Sequence, residues 1–181
     1  MSGKTELFNF AILFFSLIAL FSDLARGRIF NWLTLPMVIS GILLSTLLSG
    51  WAGLGSSLGG LVVGFALFGW LFWLRAIGGG DVKLLMGLGA WGGVKYTVDT
   101  AILSILLGGA MAIILLIARG RFADFSRRLY RFLLTVFVKE LQLEAPRIDK
   151  KFKMPFGVPL VCAAIWTAFS GPLERWGIHL W

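Results

Sequence analysis

The sequence predicts an all-α polytopic membrane protein, a bundle of six transmembrane helices. Hydrophobic residues make up 58% of the 181 residues, and only 14% are charged. Several apolar runs approach the roughly 20 residues that a helix needs to cross a bilayer. The basic residues cluster in one long segment and a few short loops, a pattern typical of inner-membrane proteins. We therefore expect one membrane domain over residues 1–181.

The predicted spans follow one another with short connections, except between the fifth and the sixth. They are Leu7–Phe21, Trp32–Leu48, Leu54–Leu74, about Asp81–Val98, Thr100–Ala118 and Met154–Phe169. The fourth apolar run is too short to cross alone, so its helix has to begin near Asp81. About 18 residues then give roughly 27 Å. Small residues in the third span predict close helix packing, namely Gly55, Gly59, Gly60 and Gly64.

Residues 119–153 form the longest polar segment and lie between the fifth and sixth spans. Apolar residues recur there at helical spacing, namely Phe122, Phe125, Leu129, Phe132, Leu133 and Val136. Arginines occupy many of the other positions. This pattern predicts an amphipathic helix on the anionic inner leaflet. A helix that docks a protein partner is the alternative, and we expect no nucleic-acid partner despite the net charge of +8.

The distribution of charge predicts the orientation. If the loops after the first, third and fifth spans share one side, that side holds all but three of the 17 Lys and Arg residues. The exceptions are Lys4, Lys95 and Arg175. The positive-inside rule then places both termini outside a bacterial inner membrane and the charged loops in the cytoplasm.

Three consecutive glycines, Gly78, Gly79 and Gly80, lead directly into Asp81. A helix does not readily continue through three glycines, so we expect a break or a tight turn there. A carboxylate at the edge of the hydrocarbon is costly and marks a candidate functional site. The glycines would let an extended peptide approach the backbone closely.

Asp23 is the second carboxylate at the predicted depth of Asp81, since it lies at the cytoplasmic end of the first span. Two neighbouring carboxyl groups share a proton, so one can activate water while the other protonates a leaving amine. The alternative is structural: Asp23 would pair with Arg26, and Asp81 would cap its helix. The residues alone leave both alternatives open.

Other chemistries fit the sequence less well. The only histidine, His179, lies at the far outer end, and the only cysteine, Cys162, belongs to no CxxC pair. We therefore expect neither a metal site nor a cofactor. Cys162 lies in an apolar run and is expected in the core.

Three segments resemble motifs of the type IV prepilin peptidases. Asp23–Thr34 resembles the first aspartate motif of that family, Gly78–Leu85 its GxGD motif, and Met154–Pro159 the Pro-aromatic-Gly motif that opens the last helix. The resemblance implies a GxGD aspartic endopeptidase with Asp23 and Asp81 as catalytic residues. Such enzymes remove the short basic leader of prepilins or pseudopilins at the cytoplasmic face.

The resemblance also suggests residues around the two aspartates that face substrate or shape the site. They are Gly78, Gly79, Gly80, Asn31, Lys83, Pro155, Phe156 and Gly157. Two features depart from the family. Phe30 stands where a proline is common, and the cysteine-rich insertion of the larger bifunctional members is missing, so N-methylation is not expected. The small form is similar to Tad/Flp-type prepilin peptidases.

Two further functions compete with the peptidase. A proton- or cation-coupled transporter could use the same two aspartates, and broken helices are common in transporters. A structural membrane subunit would need neither of them. Against the transporter, both carboxylates lie at one edge of the membrane, and no inverted repeat is evident.

Overall fold

The described part of the chain is helical. A computed structural model describes residues 2–26, 29–118, 120, 127 and 156–170, and no strand occurs within these ranges. The helices are α1 (Ser2–Arg26), α2 (Asn31–Trp73), α3 (Gly79–Ala118) and α4 (Gly157–Ser170). By length and composition, α1, α2 and α3 could each cross a membrane, and α4 is a shorter apolar helix. The all-α prediction is confirmed for these ranges.

Helix α2 folds back on itself at Gly50, whose φ of 61° is accessible mainly to glycine. The Ser45 hydroxyl donates a hydrogen bond to the Gly53 carbonyl at 2.9 Å. In a straight helix, residues eight positions apart would lie about 12 Å apart. The chain therefore reverses direction at Gly50, so that residues 31–49 and 51–73 form two segments.

Helix α3 folds back in the same way at Gly93, which has a φ of 76°. A Cβ atom on Gly89 would lie only 2.6 Å from Oγ1 of Thr97, which is again eight positions away. After the bend, the Tyr96 hydroxyl donates to the Ala164 carbonyl of α4 at 2.9 Å. The predicted boundary at Val98–Thr100 was wrong, because the reversal needs a positive φ and Gly93 provides it.

The first segment of α3 lies at the centre of the bundle. Its side chains Leu84, Leu85 and Leu88 are fully buried, together with Met37 and Phe68 of α2. The chain up to Gly108 and helix α4 belong to one compact unit. The prediction of a single domain over residues 1–181 stays a prediction.

Glycines of α2 make the approach to α3 close. A Cβ atom on Gly60 would overlap the Gly89 carbonyl, and one on Gly64 would lie 3.1 Å from the Leu85 carbonyl oxygen. The predicted packing role is confirmed for both. Within the described ranges, no atom lies within 4 Å of the Cβ position of Gly55, so that role was wrong for Gly55.

Helix α2 ends in a left-handed turn just before the glycine segment. The Ala76 N–H donates to the Leu71 carbonyl at 2.9 Å, and the Arg75 N–H donates to the Phe72 carbonyl at 2.8 Å. This pair of bonds is the Schellman motif, in which glycine usually holds the left-handed position. Here Arg75 holds it, with a φ of 58°. The expected break is therefore residues 74–78, and Gly79 already begins α3.

Two other expectations concern regions outside the bundle core. The amphipathic helix predicted within residues 119–153 lies outside the described residues, apart from Gly120 and Arg127. Cys162 is exposed rather than buried, so that prediction was wrong. The buried face of α4 is formed instead by neighbouring residues, among them Leu160, Ala163 and Ala164.

Candidate active site

Asp23 lies in the last turn of α1 and is half-buried. Its Oδ2 atom is inaccessible to solvent. Arg26, the residue expected as its structural partner, places its guanidinium 5.3 Å from the centre of the Phe30 ring. Arg26 thus makes a cation–π contact at this end of the bundle.

Asp81 lies in the first turn of α3 and is 8% exposed. Its Oδ2 accepts a hydrogen bond from the Gly78 N–H at 3.1 Å, while its own N–H donates to the Gly78 carbonyl at 3.1 Å. This is half of a capping box, in which the third helical residue reaches back to the N-cap backbone. The structural alternative therefore holds for Asp81 as a local fact.

The two aspartates lie close enough for their charges to interact. They come from the end of α1 and the start of α3, which are far apart in sequence and meet at one end of the bundle. A pair of carboxyl groups in a poorly solvated place is the arrangement that shared-proton chemistry requires.

The glycines before Asp81 pack against neighbouring elements. A Cβ atom on Gly80 would lie 3.1 Å from Cβ of Ile29, and one on Gly79 would lie 3.4 Å from the Phe72 ring. Position 80 is therefore tightly packed, whereas a Cβ atom at position 79 would make an ordinary van der Waals contact. Gly78 is exposed. Contact between this backbone and a peptide stays a prediction.

Asn31 and Lys83 meet beside the glycine segment. The Lys83 ammonium donates to Oδ1 of Asn31 at 2.8 Å, and both side chains are exposed. This bond joins the start of α2 to the start of α3. The sequence suggested both residues separately but did not pair them.

In the Met154–Pro159 motif, Gly157 is the residue that lies against Asp23. A Cβ atom on Gly157 would overlap Oδ2 of Asp23. The Phe156 ring packs edge-on against the Phe68 ring, with centroids 5.8 Å apart. Pro155 lies outside the described residues.

Ile29 and Phe68 lie beside the candidate site but were not predicted as site residues. Ile29 is 9% exposed and packs against Gly80, and Phe68 is fully buried behind Phe156. Neither had a distinguishing signal in an apolar chain with 16 phenylalanines. Within the described ranges, no group of three or more His, Cys, Asp or Glu side chains could hold a metal ion.

Comparison with known proteins extends the match beyond the short motifs. The model of the type IV leader peptidase family matches residues 10–113. A prepilin leader peptidase/N-methyltransferase of Aeromonas hydrophila is 36% identical over 112 residues, which is 58% of this chain and 38% of that protein. A preflagellin peptidase of Methanococcus voltae is 40% identical over 78 residues, covering 41% of this chain and 33% of its own length.

A third relative, from Pseudomonas aeruginosa, also carries the name prepilin leader peptidase/N-methyltransferase. It is 33% identical over 126 residues, or 66% of this chain and 42% of that protein. The chain thus spans about two fifths or less of each of these relatives. No solved structure matches.

Proposed function

Because the chain belongs to the type IV leader peptidase family, we propose that it is a membrane-embedded aspartic endopeptidase. Its substrates are prepilin-like proteins, from which it removes the basic leader peptide at the cytoplasmic face. The observation that supports the proposal is that Asp23 lies near enough to Asp81 for its charge to affect Asp81, at one end of the bundle.

Cleavage uses the two carboxyl groups in opposite roles. The ionised one removes a proton from water, whose oxygen forms a bond with the scissile carbonyl carbon. The protonated one gives its proton to the amide nitrogen as the carbon–nitrogen bond breaks. The pair then again holds one proton, so the cycle needs neither a metal nor a cofactor.

The proposed topology has six membrane crossings. A straight 43-residue helix would be about 65 Å long, twice the hydrocarbon thickness. The bends at Gly50 and Gly93 divide α2 and α3 into shorter segments of roughly 20 to 40 Å each. Exposed tryptophans support interfaces at both ends, with Trp32 and Trp73 near the site and Trp51 at the opposite bend.

The orientation rests on the charged loops. Arg26, Arg75 and Lys83 lie at the end of the bundle that carries the aspartates, so the positive-inside rule favours a cytoplasmic site and outer termini in an inner membrane. The segment 119–153, predicted to be amphipathic, would rest on anionic lipid. N-methylation is not proposed.

The residues around Asp23 and Asp81 would form the surface to which the substrate binds. The backbone of Gly78, Gly79 and Gly80 borders Asp81, and a leader segment in extended conformation would dock there. Asn31 and Lys83 border the same segment, as their hydrogen bond indicates. Gly157 contacts Asp23. We include Pro155 and Phe156 in the proposed site because they directly precede Gly157.

Co-expression of a prepilin with each variant tests the function. We expect the wild type to shorten the prepilin, and Asp23→Asn and Asp81→Asn to abolish shortening, as followed by immunoblot. Asn preserves the size of Asp, and at position 81 its side-chain oxygen can still accept the Gly78 N–H, so the capping bond survives. Asp99→Asn is the matched control, because Asp99 is a buried aspartate of the same helix, 7% exposed, and lies beyond the Gly93 bend.

The transporter is the second candidate, since the buried Asp81 and the half-buried Asp23 could also carry protons. Proton flux into proteoliposomes separates the two functions. Flux that requires Asp23 and Asp81, with no prepilin cleavage by the wild type, would replace the peptidase with the transporter. If neither prepilin cleavage nor proton flux depends on Asp23 or Asp81, the result would favour a structural subunit.

A further inference from the structure

The start of α4 lies directly against one catalytic candidate. A Cβ atom on Gly157 would overlap Oδ2 of Asp23 and would lie 2.9 Å from Cγ and 3.3 Å from Cβ of the same residue. The Asp23 carboxylate thus occupies the volume that any larger residue at position 157 would need. Gly157 has no positive φ, so the requirement is for space and not for an unusual backbone conformation.

Phe156 fixes where this glycine lies. Its ring packs edge-on against Phe68 of α2, at 5.8 Å and 64°, and Phe68 is fully buried. A Cβ atom on Gly108 of α3 would lie 2.5 Å from Cε2 of the same ring. The Phe156 carbonyl also accepts the N–H of Leu160 at 3.2 Å, which begins the first turn of α4. Phe156, the residue directly before α4, therefore packs against both α2 and α3.

Support from another helix matters for Asp23 because of its position in α1. It lies three residues before the end of α1, where helices fray. The carboxyl end of a helix also carries partial negative charge, which opposes a carboxylate. The first turn of α4 carries partial positive charge, and its contact with Asp23 is favourable for the same reason.

We propose that Gly157, held in place by Phe156, is a positioning residue for Asp23. The start of α4 closes one side of the carboxylate and so limits the orientations from which it can act with Asp81. This inference rests on the proposed function, since the orientation of Asp23 matters only if Asp23 acts on a substrate. It also assigns the Met154–Pro159 motif a role other than contact with substrate, namely the positioning of Asp23.

The kinetic test compares Gly157→Ala with Gly109→Ala. Gly109 is a matched control, because none of the residues that the structure describes lies within 4 Å of its Cβ position. For a purified enzyme and a prepilin substrate, we expect Gly157→Ala to lower kcat about 100-fold, the effect of a roughly 1 Å misplacement, with KM nearly unchanged. Gly109→Ala should leave both constants as in the wild type. An unchanged kcat in Gly157→Ala overturns the proposal.

A second measurement does not depend on cleavage. The Asp23 carboxyl group is labelled with dicyclohexylcarbodiimide in an Asp81→Asn background, and the Asp23 peptide is quantified by mass spectrometry. We expect Gly157→Ala to change the labelling rate several-fold, because the carboxylate leaves its buried place, while Gly109→Ala has no effect. Phe156→Ala should shift labelling too, since it removes the anchor without adding an atom beside Asp23.

The two measurements separate this inference from the proposed function. A wild type that cleaves no prepilin contradicts the proposed function, while labelling still decides whether Gly157 positions Asp23. Labelling that is equal in Gly157→Ala and Gly109→Ala contradicts the positioning role, whatever happens to cleavage. A misfolded Gly157→Ala is recognised by its Tm, and Phe156→Ala then decides.

Discussion

Asp81 and Asp23 are held in place by different means. Asp81 is held within its own turn, by the N–H of a residue three positions earlier, at 3.1 Å. Asp23 is flanked by Gly157, which lies on another helix and more than 100 residues away in sequence. The contact described for Asp81 is therefore local, whereas the one described for Asp23 is tertiary and lies at the start of α4.

The difference determines which substitutions would disturb each half of the site, that is, Asp23 or Asp81 together with its own contacts. A local bond forms whenever the first turn of α3 forms, so only a change within that turn removes it. A tertiary contact depends on every element that places it, here Phe156, Phe68 and Gly108. We therefore expect the Asp23 half to be more sensitive to distant substitutions than the Asp81 half.

Removing the donor to Asp81 should affect that half alone. Gly78→Pro deletes the N–H that Asp81 accepts, so we expect kcat for prepilin cleavage to fall about 10- to 100-fold through misplacement of the carboxylate. Carbodiimide labelling of Asp23 should not change. Gly78→Ala is the control, because it keeps the N–H and adds a methyl group 3.2 Å from Oδ2 of Asp81. If Gly78→Ala impairs cleavage as much as Gly78→Pro, the hydrogen bond is not responsible.

The same difference explains what could be predicted from the sequence. The helix break was predicted within the same short segment as Asp81, but it lies at residues 74–78, and Gly79 and Gly80 already belong to α3. Asp23 was found through its predicted depth. Its contact with Gly157 could not be derived, because it depends on how α4 packs beside α1 and on the ring contacts of Phe156. The reversal of α3 was predicted at Val98–Thr100 instead of Gly93 for a related reason, since several glycines in that stretch could have supplied a positive φ.

The hydrogen bond between Lys83 and Asn31 tests whether the two motif segments support each other. Both residues are exposed, so we expect Lys83→Met or Asn31→Ala to lower the free energy of unfolding by only about 0.5–1 kcal/mol and to reduce cleavage a few-fold. The exchanged pair, Asn31→Lys with Lys83→Asn, can form the bond in the opposite direction. Recovery in the exchanged pair supports a joining role. A further loss would show that one side chain has a separate task.

Relief of the turn before the glycines should have the smallest effect. Arg75 holds a left-handed conformation that glycine adopts without steric cost. We expect Arg75→Gly to raise the free energy of unfolding by about 0.5–1 kcal/mol and to leave both aspartates and cleavage unchanged. Denaturation in detergent measures the change. A clear loss of cleavage would mean that the Arg75 side chain contributes to the site.

The pairing of Asp23 with Asp81 is tested most directly by comparing single and double variants. The measurement is kcat/KM for prepilin cleavage by the wild type, Asp23→Asn, Asp81→Asn and the double variant. If the carboxyl groups act as one unit, each single change costs about 10²- to 10⁴-fold, and the double variant is no worse than the weaker single variant. Near-normal cleavage by either single variant, or losses that multiply in the double variant, would contradict the pair.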